Sequence, residues 1–491
     1  MSRSLAVVGA GISGLALAWA ALRENPALKV HLFEGSSRPG GAIQSRREDE
    51  LVLEGGPDSM LTDKPAGLQL CRDLGLELLI QPTNEDDRRA MVVRDGRLVP
   101  IPEGFRLLAP TRLIPFLLTP VLSPLGKLRI GLDLFLPRRR ESGDETLAGF
   151  VGRRLGREAL ERMAQPLVGG IYGGDPERLS LQATMPRFLD MEYSHGSVIR
   201  GLLAGMRGSR RGGNRAATRA GPRYGLFVSL EGGLQTLVER LVEALPPGGL
   251  HTGLAVERIE PEPGGWRLCS PGFTERFDAV ALAMPGWAAA RLSAFDPILA
   301  KRLASIRYSS SAAVNLVFQR RQIPGRLNSF GFVVPRIENR VLLACTYASV
   351  KYAGRAPEGQ VILRAFSGGA GREGEVDRPP EELLEDILGD LRDLMGIRGT
   401  PLKVWSLRHE RVMPQYELGH LDLIAEIQDR ASRHPGLFLA GNGFRGIGIP
   451  DCVAQARQAG VRAAEYLDSL ARDQGKTGSP EFAPSHGPSP S

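Results

Sequence analysis

The sequence predicts an α/β fold of two or three lobes that opens on a doubly wound parallel sheet. Three observations carry this. The N-terminus reads strand, glycine turn, helix, strand over residues 4–34. A second strand, glycine turn and helix lie near the other end, at 437–460. The 491 residues exceed what one small core absorbs, at roughly 100–200 residues per domain.

The elements follow in order. Ser4–Gly9 is a short apolar run and reads as a buried strand. Ser13–Leu22 is apolar on nearly all sides and reads as a buried helix, and Lys29–Glu34 as the next strand. A helix over Leu68–Leu74 and a strand at Met91–Val93, leading to the Asp95-Gly96 turn, continue the chain. From Val99 to Pro137 the sequence turns rich in Leu, Ile and Phe. Pro110, Pro115, Pro120, Pro124 and Pro137 cut that stretch into short helices. Thr146–Met163 reads as helix, Gly169–Asp175 as a glycine-rich turn, and Arg207–Arg223 as a flexible basic insertion. Ser229–Leu245 is a turn followed by an amphipathic helix. Leu254–Ile259, Trp266–Ser270 and Ala279–Ala283 read as strands returning to the first lobe. Ala312–Gln319, Phe330–Val334, Val341–Tyr347 and Val361–Phe366 read as antiparallel strands of another lobe, followed by a helix at Glu381–Leu394. Leu437–Ala440 is a strand and Asp451–Leu470 a helix. The last twenty residues are too polar to bury a core and read as disordered.

Charge and composition exclude several classes. Lys plus Arg is 62 against 55 for Asp plus Glu, a formal balance of +7. The excess sits in Arg138-Arg139-Arg140 and in the 207–223 stretch. Aromatics are 6% and do not interleave with these cations, which argues against nucleic-acid binding. Cys71, Cys269, Cys345 and Cys452 lie far apart, without metal-ligand spacing, as expected of reduced thiols; no metal is expected. No apolar run reaches the about 18 residues of a spanning helix, and the N-terminus runs straight into a strand without a signal peptide. A cytoplasmic-facing protein is the expectation.

The first chemical signal is Gly9-Ala10-Gly11-Ile12-Ser13-Gly14, between strand and helix. The first glycine permits a tight turn, the second lets a pyrophosphate approach the backbone, and the third lets helix and strand pack closely. The helix N-terminus then offers N–H groups and a positive dipole end to phosphate. Glu34, twenty residues beyond Gly14, can accept bonds from ribose hydroxyls. Such a cradle recognises ADP and does not separate NAD from FAD. Arg38-Pro39-Gly40-Gly41 adds a second backbone approach further along a dinucleotide. The C-terminal segment adds a third: Pro450 and Asp451 suit a helix start whose dipole would stabilise a reduced, anionic flavin. Two cofactor segments about 430 residues apart fit an extended FAD better than NAD.

These residues resemble a known family. "VVGAGISGLALAWA", "FEGSSRPGGAIQS", "LEGGPDSMLTDKP", "PLVGGIYGGDPERLS", "VSLEGGLQTL", "PQYELGH" and "AGNGFRGIGIPDCVAQARQAG" together are similar to the protoporphyrinogen oxidase and coproporphyrinogen III oxidase family of haem biosynthesis. The likeness runs from about residue 4 to 468; the segments at 169–180 and 413–420 are its most specific parts. It implies an amine-oxidase-like flavoprotein architecture: a Rossmann-like FAD-binding domain, a mixed-sheet substrate domain and a helical membrane-facing lobe. The expected division is 1–85, 225–290 and 437–470 for FAD; 86–98 and 291–436 for substrate; 99–224 for the helical lobe; and 471–491 for the tail. The implied activity is oxygen-dependent oxidation of protoporphyrinogen IX to protoporphyrin IX, six electrons in three hydride transfers to non-covalent FAD, with hydrogen peroxide produced. Coproporphyrinogen III oxidation is the alternative, and an amine oxidase or carotenoid desaturase is a further one. "AGNGFRGIG" lacks the cysteine before the glycines that a covalent amine oxidase often carries.

By the resemblance, Gly170 stands beside the reactive bridge carbon, where a side chain would take substrate space. Arg89 meets a propionate, Phe366 stacks on a pyrrole, and Val333 and Thr346 line the same cavity. Gly9, Gly11, Ile12, Ser13, Gly14, Glu34, Arg38, Gly40, Gly41, Gly56, Val256, Trp405, Gly441, Gly446 and Ile449 meet the cofactor. Asp58 replaces the Asn or Arg of other members, and its role stays open. Porphyrinogen and molecular oxygen are the expected partners. A homodimer and a peripheral contact with the cytoplasmic face of the inner membrane are compatible with the resemblance. For that contact, Arg106, Arg112, Lys127, Arg129 and Arg138–Arg140 would suit anionic headgroups.

Overall fold

The computed structural model describes residues 3–86, 89–102, 105–106, 109–110, 113–139, 143–211 and 226–476. Arg88, Arg112, Arg140, residues 212–225 and the tail beyond 476 lie outside the described residues, as do the side chains of Arg106 and Arg207.

The short apolar runs assemble a five-stranded parallel sheet in the order Leu250–Thr252, Lys29–Glu34, Ser4–Val8, Ala279–Leu282, Leu437–Leu439. Val7 pairs with Leu32 on one side and Ala281 on the other, and Leu282 with Leu439. The central strands Ser4–Val8 and Ala279–Leu282 are buried on both faces and read as near-continuous apolar runs, whereas Lys29–Glu34 and Leu250–Thr252, towards the edge, carry polar residues. Leu5 and Val7 face helices Ile12–Glu24, Gln235–Glu243 and Ile449–Lys476. Ala6 and Val8 face helices Pro297–Ala304 and His420–Ser432 and a small antiparallel sheet. The first and last thirds of the chain therefore share one core: Leu15, Ala18 and Ala21 pack with Val453, Ala456 and Ala463.

Two expectations are corrected here. The strand expected at Leu254–Ile259 comes earlier, at Leu250–Thr252. Gly253, at φ +69°, ends it, and Leu254 N–H donates to the Glu34 carbonyl over 2.9 Å. Arg258–Glu262, Gly265–Ser270 and Phe273–Phe277 form the antiparallel sheet instead, so the Trp266 segment packs against the parallel sheet without joining it. Helices Pro297–Ala304 and His420–Ser432 lie within the range expected for the substrate domain, yet they also pack on the parallel sheet.

A seven-stranded mixed sheet runs Lys403–Gln415, Arg307–Gln319, Gln360–Gly368, Ala344–Tyr347, Gly331–Val333, Met91–Arg94, Arg97–Pro100. One pair, Gly331–Val333 with Met91–Arg94, is parallel. Alternation divides its faces. Val314, Leu316, Phe332, Cys345, Leu363 and Ala365 pack on Leu383, Ile387 and Leu391 of helix Pro380–Met395. The other face carries Val333, Thr346, Arg364, Phe366 and Asn315.

The Pro-rich stretch forms short helices at Leu113–Leu118 and Pro124–Gly131. Pro124 starts its helix rather than breaking it, with the Ser123 hydroxyl accepting from Gly126 N–H. Helix Leu147–Arg154 follows, capped by Thr146, then a π-helical turn at Leu160–Ala164 and helix Gln165–Tyr172. The glycine-rich turn expected at Gly169–Asp175 begins later. Pro166 starts the helix, Gly169 and Gly170 lie within it, and Gly173, at φ +52°, ends it. The basic insertion also begins as structure, since Arg207–Arg211 continue helix Val198–Arg211. Arg154 anchors this lobe. It is fully buried, its Nε donates to Asp133 over 2.6 Å, and its remaining donors reach the carbonyls of Gly196, Leu136 and Pro137.

Candidate active site

The nucleotide cradle follows from its glycines. Gly9 has φ +102°, and a Cβ there would lie 2.5 Å from the Ala283 carbonyl oxygen. A Cβ on Gly14 would lie 1.8 Å from the Gly9 oxygen, so this glycine lets the helix start against the strand. Gly11 differs: a Cβ there meets nothing nearer than Gly41 Cα, at 4.0 Å. The space above Gly11 is open, and no side chain caps helix Ile12–Glu24. Gly40 N–H donates to the Ala10 carbonyl over 2.7 Å and Gly11 bridges Gly40, so the second glycine pair lies along the first. Glu34 accepts from Ala10 N–H and from the Ser36 N–H and hydroxyl, which fixes its carboxylate at the strand end. Arg38 folds its guanidinium onto the carbonyls of Pro39, Gly41 and Ile43, and so shapes this loop from within. Val256 follows Leu254 on the segment tethered to Glu34.

The C-terminal segment reaches the same place through the parallel sheet. Gly441 (φ +143°) and Gly446 (φ +89°) turn the chain from strand Leu437–Leu439 into helix Ile449–Lys476. A Cβ on Gly67 would lie 3.2 Å from Pro450, and Lys64 pairs with Asp451 over 2.6 Å. Ser13, in the N-terminal cradle, acts on the buried Cys452 thiol. Burial pushes that thiol up to about 12, so it stays protonated. The residues therefore fit an extended dinucleotide: an open pyrophosphate seat at Gly11, a ribose acid at Glu34, and a helix start from the opposite terminus.

On the mixed sheet, Val333 is paired with Ala344, and Ala344 with Phe366, while Thr346 is paired with Arg364. Val333, Thr346 and Phe366 are half-buried on the face away from the covering helix. Gly170 faces them: a Cβ on it would lie 3.7 Å from Val333 Cγ1, in ordinary contact. The structure thus brings Gly170 and Val333 together, on a shared wall with Phe366 and Thr346. Gly170 is helical, so its lack of a side chain matters for space rather than for a strained backbone. Arg89 is exposed. Its carbonyl accepts from Phe330 N–H, immediately before Gly331, the end of the Gly331–Val333 strand that pairs with Thr346. Gly56 and Trp405 lie near one another, because a Cβ on neighbouring Gly55 would meet the Trp405 ring at 2.9 Å.

Beside this wall, on the same face of the sheet, lies a charge cluster that the sequence reading did not identify. Arg364, about 1% exposed, donates to the Gly56 carbonyl over 2.6 Å, pairs with Asp58 at 3.3 Å, and lies 5.0 Å from the Phe366 ring centre. Lys351 closes on Asp58 at 3.0 Å. Burial opposes the Asp58 charge, but Lys351 and Arg364 outweigh it and hold the carboxyl well below the usual carboxylate range. Glu54 and Arg355, paired at 3.3 Å, extend the cluster; burial raises the Glu54 carboxyl despite Arg355. The one signal in the sequence was an arginine inside the apolar strand Val361–Phe366.

The parallel sheet, the glycine cradle and the facing C-terminal helix define a flavin-dependent oxidoreductase. The family model described as flavin containing amine oxidoreductase matches residues 12–467. The coproporphyrinogen III oxidase of Bacillus subtilis (strain 168) is 35% identical, over 95% of this chain and 99% of its own. The protoporphyrinogen oxidase of Bos taurus is 30% identical, over 94% and 98%. A crystal structure titled putative protoporphyrinogen oxidase from Exiguobacterium sp. 255-15 superposes with a TM-score of 0.84 at 32% identity, covering 96% of this chain and all of that one. The chain belongs to the flavin-containing amine oxidoreductase family, as an FAD-dependent oxidoreductase that holds its cofactor non-covalently.

Proposed function

We propose that the protein oxidises coproporphyrinogen III to coproporphyrin III. The observation that carries this reading is the likeness to the Bacillus subtilis coproporphyrinogen III oxidase, end to end and closer than to the Bos taurus protoporphyrinogen oxidase. It replaces the protoporphyrinogen IX expectation as the first choice. When bound, FAD supplies the hydride acceptor, and molecular oxygen takes up the electron pairs as hydrogen peroxide. The chain's own work is positional. Gly170 and Val333 leave room for a bridge carbon, Phe366 offers a ring face to a pyrrole, and Arg89 offers a guanidinium to a propionate. The test supplies coproporphyrinogen III and protoporphyrinogen IX separately, in air, and follows porphyrin fluorescence with peroxide yield. A higher kcat/KM on coproporphyrinogen is expected; preference for protoporphyrinogen, or oxidation of neither, overturns the assignment.

The helical lobe supports a peripheral membrane contact. Among the described residues no helix is long and apolar enough to cross a membrane. Yet Ile114, Leu118, Leu125, Leu128 and Phe135 are each more than 60% exposed along one short stretch. So large an apolar exposure marks a surface that meets something apolar. Lys127 and Arg138 lie on the same stretch. Arg129 and Arg139, expected to meet headgroups, are turned inward instead: Arg129 onto the carbonyls of Gly152, Arg153 and Arg154, and Arg139 towards Glu145. Sedimentation with vesicles should carry the protein down, and Leu118→Asp with Phe135→Asp should release it.

A further inference from the structure

The segment "MPQYELGH" is the most specific stretch of the chain without a chemical role. The structure places it where three parts of the molecule meet. It leaves the mixed sheet at the end of strand Lys403–Gln415 and enters helix His420–Ser432, which packs on the parallel sheet. Gln415 Nε2 donates to the Ser309 hydroxyl over 3.0 Å, and that hydroxyl donates to the Gly173 carbonyl at the end of the helix bearing Gly170. The Tyr416 carbonyl accepts from Ser180 N–H, and Glu417 pairs with Arg178 at 3.0 Å.

Its two ring side chains point elsewhere, at the C-terminal glycine turn. Tyr416 and His420 are about 2% and 3% exposed, and their rings stack with centres 3.9 Å apart and planes 16° from parallel. Tyr416 O–H donates to the Asn442 carbonyl over 2.5 Å. His420 Nε2 lies 3.0 Å from the Phe444 carbonyl, which can only accept; this ring nitrogen therefore carries the proton and donates. Burial lowers the His420 basicity, which keeps the ring neutral with that nitrogen protonated. The turn is held at its start and its tip from the buried side. Ile447 and Gly448, the last residues before helix Ile449–Lys476, stay half-exposed on the other side.

We propose that Tyr416 and His420 are positioning residues for the flavin: they brace turn 442–446 so that the N-terminus of helix Ile449–Lys476 is fixed against the cofactor. The proposal rests on the reading of this turn as a cofactor segment and makes no use of the porphyrinogen assignment. Neither side chain touches substrate in it. They act through the backbone, by setting the direction in which the helix dipole meets the charge that appears on flavin reduction.

The test compares Tyr416→Phe, His420→Phe and His420→Gln in the full chain loaded with FAD. Tyr416→Phe keeps the ring stack and removes one hydroxyl. His420→Phe removes the donor, and His420→Gln restores one. The readouts are the FAD dissociation constant, from the fluorescence of released flavin, the midpoint potential by spectroelectrochemistry, and the melting temperature of the flavin-free protein. Tyr416→Phe and His420→Phe should weaken FAD binding by about tenfold, the scale of a buried hydrogen bond left unmade. Both should move the potential to more negative values, with His420→Gln recovering most of the shift. Wild-type affinity and potential in both Phe variants would overturn the proposal. So would a lowered flavin-free melting temperature with flavin properties unchanged, because the pair would then serve folding alone. None of the three readouts requires a porphyrinogen, so an error in the substrate assignment would appear separately, in turnover.

Discussion

Replacing Gly11 by valine separates cofactor binding from folding, and the contrast with Gly14 supplies the control. The Gly11 backbone has φ −70° and ψ 178°, which any residue adopts. A Cβ there comes no nearer than 4.0 Å to any protein atom, so the fold has room for the branched side chain. The stability change of the flavin-free protein should stay within about 0.5 kcal/mol, the usual range of a substitution that creates no clash. The same methyl groups fill the open space beside the helix N-terminus that a pyrophosphate would take, so FAD should not be retained. The loss also shows as stability: a ligand at about a hundred times its dissociation constant contributes about 2.7 kcal/mol, and Gly11→Val forfeits this. Gly14→Ala behaves in the opposite way. Its Cβ lies 1.8 Å from the Gly9 oxygen, a backbone atom that cannot move aside, so the flavin-free fold itself should lose about 1–3 kcal/mol. The assay is the 450 to 280 nm absorbance ratio of purified protein, with melting curves taken with and without added FAD. A yellow Gly11→Val protein with the wild-type ratio would refute the cradle.

Arg154→Ala leaves Asp133 charged and buried in the helical lobe, and should cost about 3–5 kcal/mol, read from the urea midpoint; a loss below about 1 kcal/mol would remove the pair as the lobe's anchor. Asp58→Asn bears on pH. The folded carboxyl titrates well below its unfolded value of about 3.9, so its contribution is fully present above about pH 4 and fades as the pH falls through the folded range. The variant should therefore melt lower than wild type at pH 6, with a gap that narrows below about pH 4; a constant gap would show that the charge is not what stabilises. Arg89→Ala should raise KM more than it lowers kcat if the guanidinium only anchors a carboxylate, and an unchanged KM would take Arg89 out of the site.

The parallel sheet was legible because its physics is local. Residues 4–34 form strand, turn and helix from their own pattern, and the observed boundaries differ by a residue or two. The open space at Gly11 was likewise readable from the glycine spacing. Strand Lys403–Gln415 was not, because "KVWSLRHERVMPQ" lies at a sheet edge, largely half-exposed, and lacks the apolar run that marks a covered strand. Gly169 and Gly170 looked like a turn because glycine is a poor helix former; packing holds them in a helix that their propensity disfavours. The Asp58, Lys351, Arg364, Glu54 and Arg355 cluster left almost no trace. Its members lie about three hundred positions apart, and only the fold brings them within hydrogen-bond distance.

The parallel sheet also imposes an order on synthesis. Its edge strand Leu437–Leu439 and the helix that covers Ile12–Glu24 are made long after the N-terminal strand and helix they pack against. Until then the nascent N-terminal unit lacks the partner that shields Leu15, Ala18 and Ala21 from water, and such unshielded surface invites chaperones and self-association. A premature stop before Leu437 would leave a product that neither turns yellow nor stays in solution.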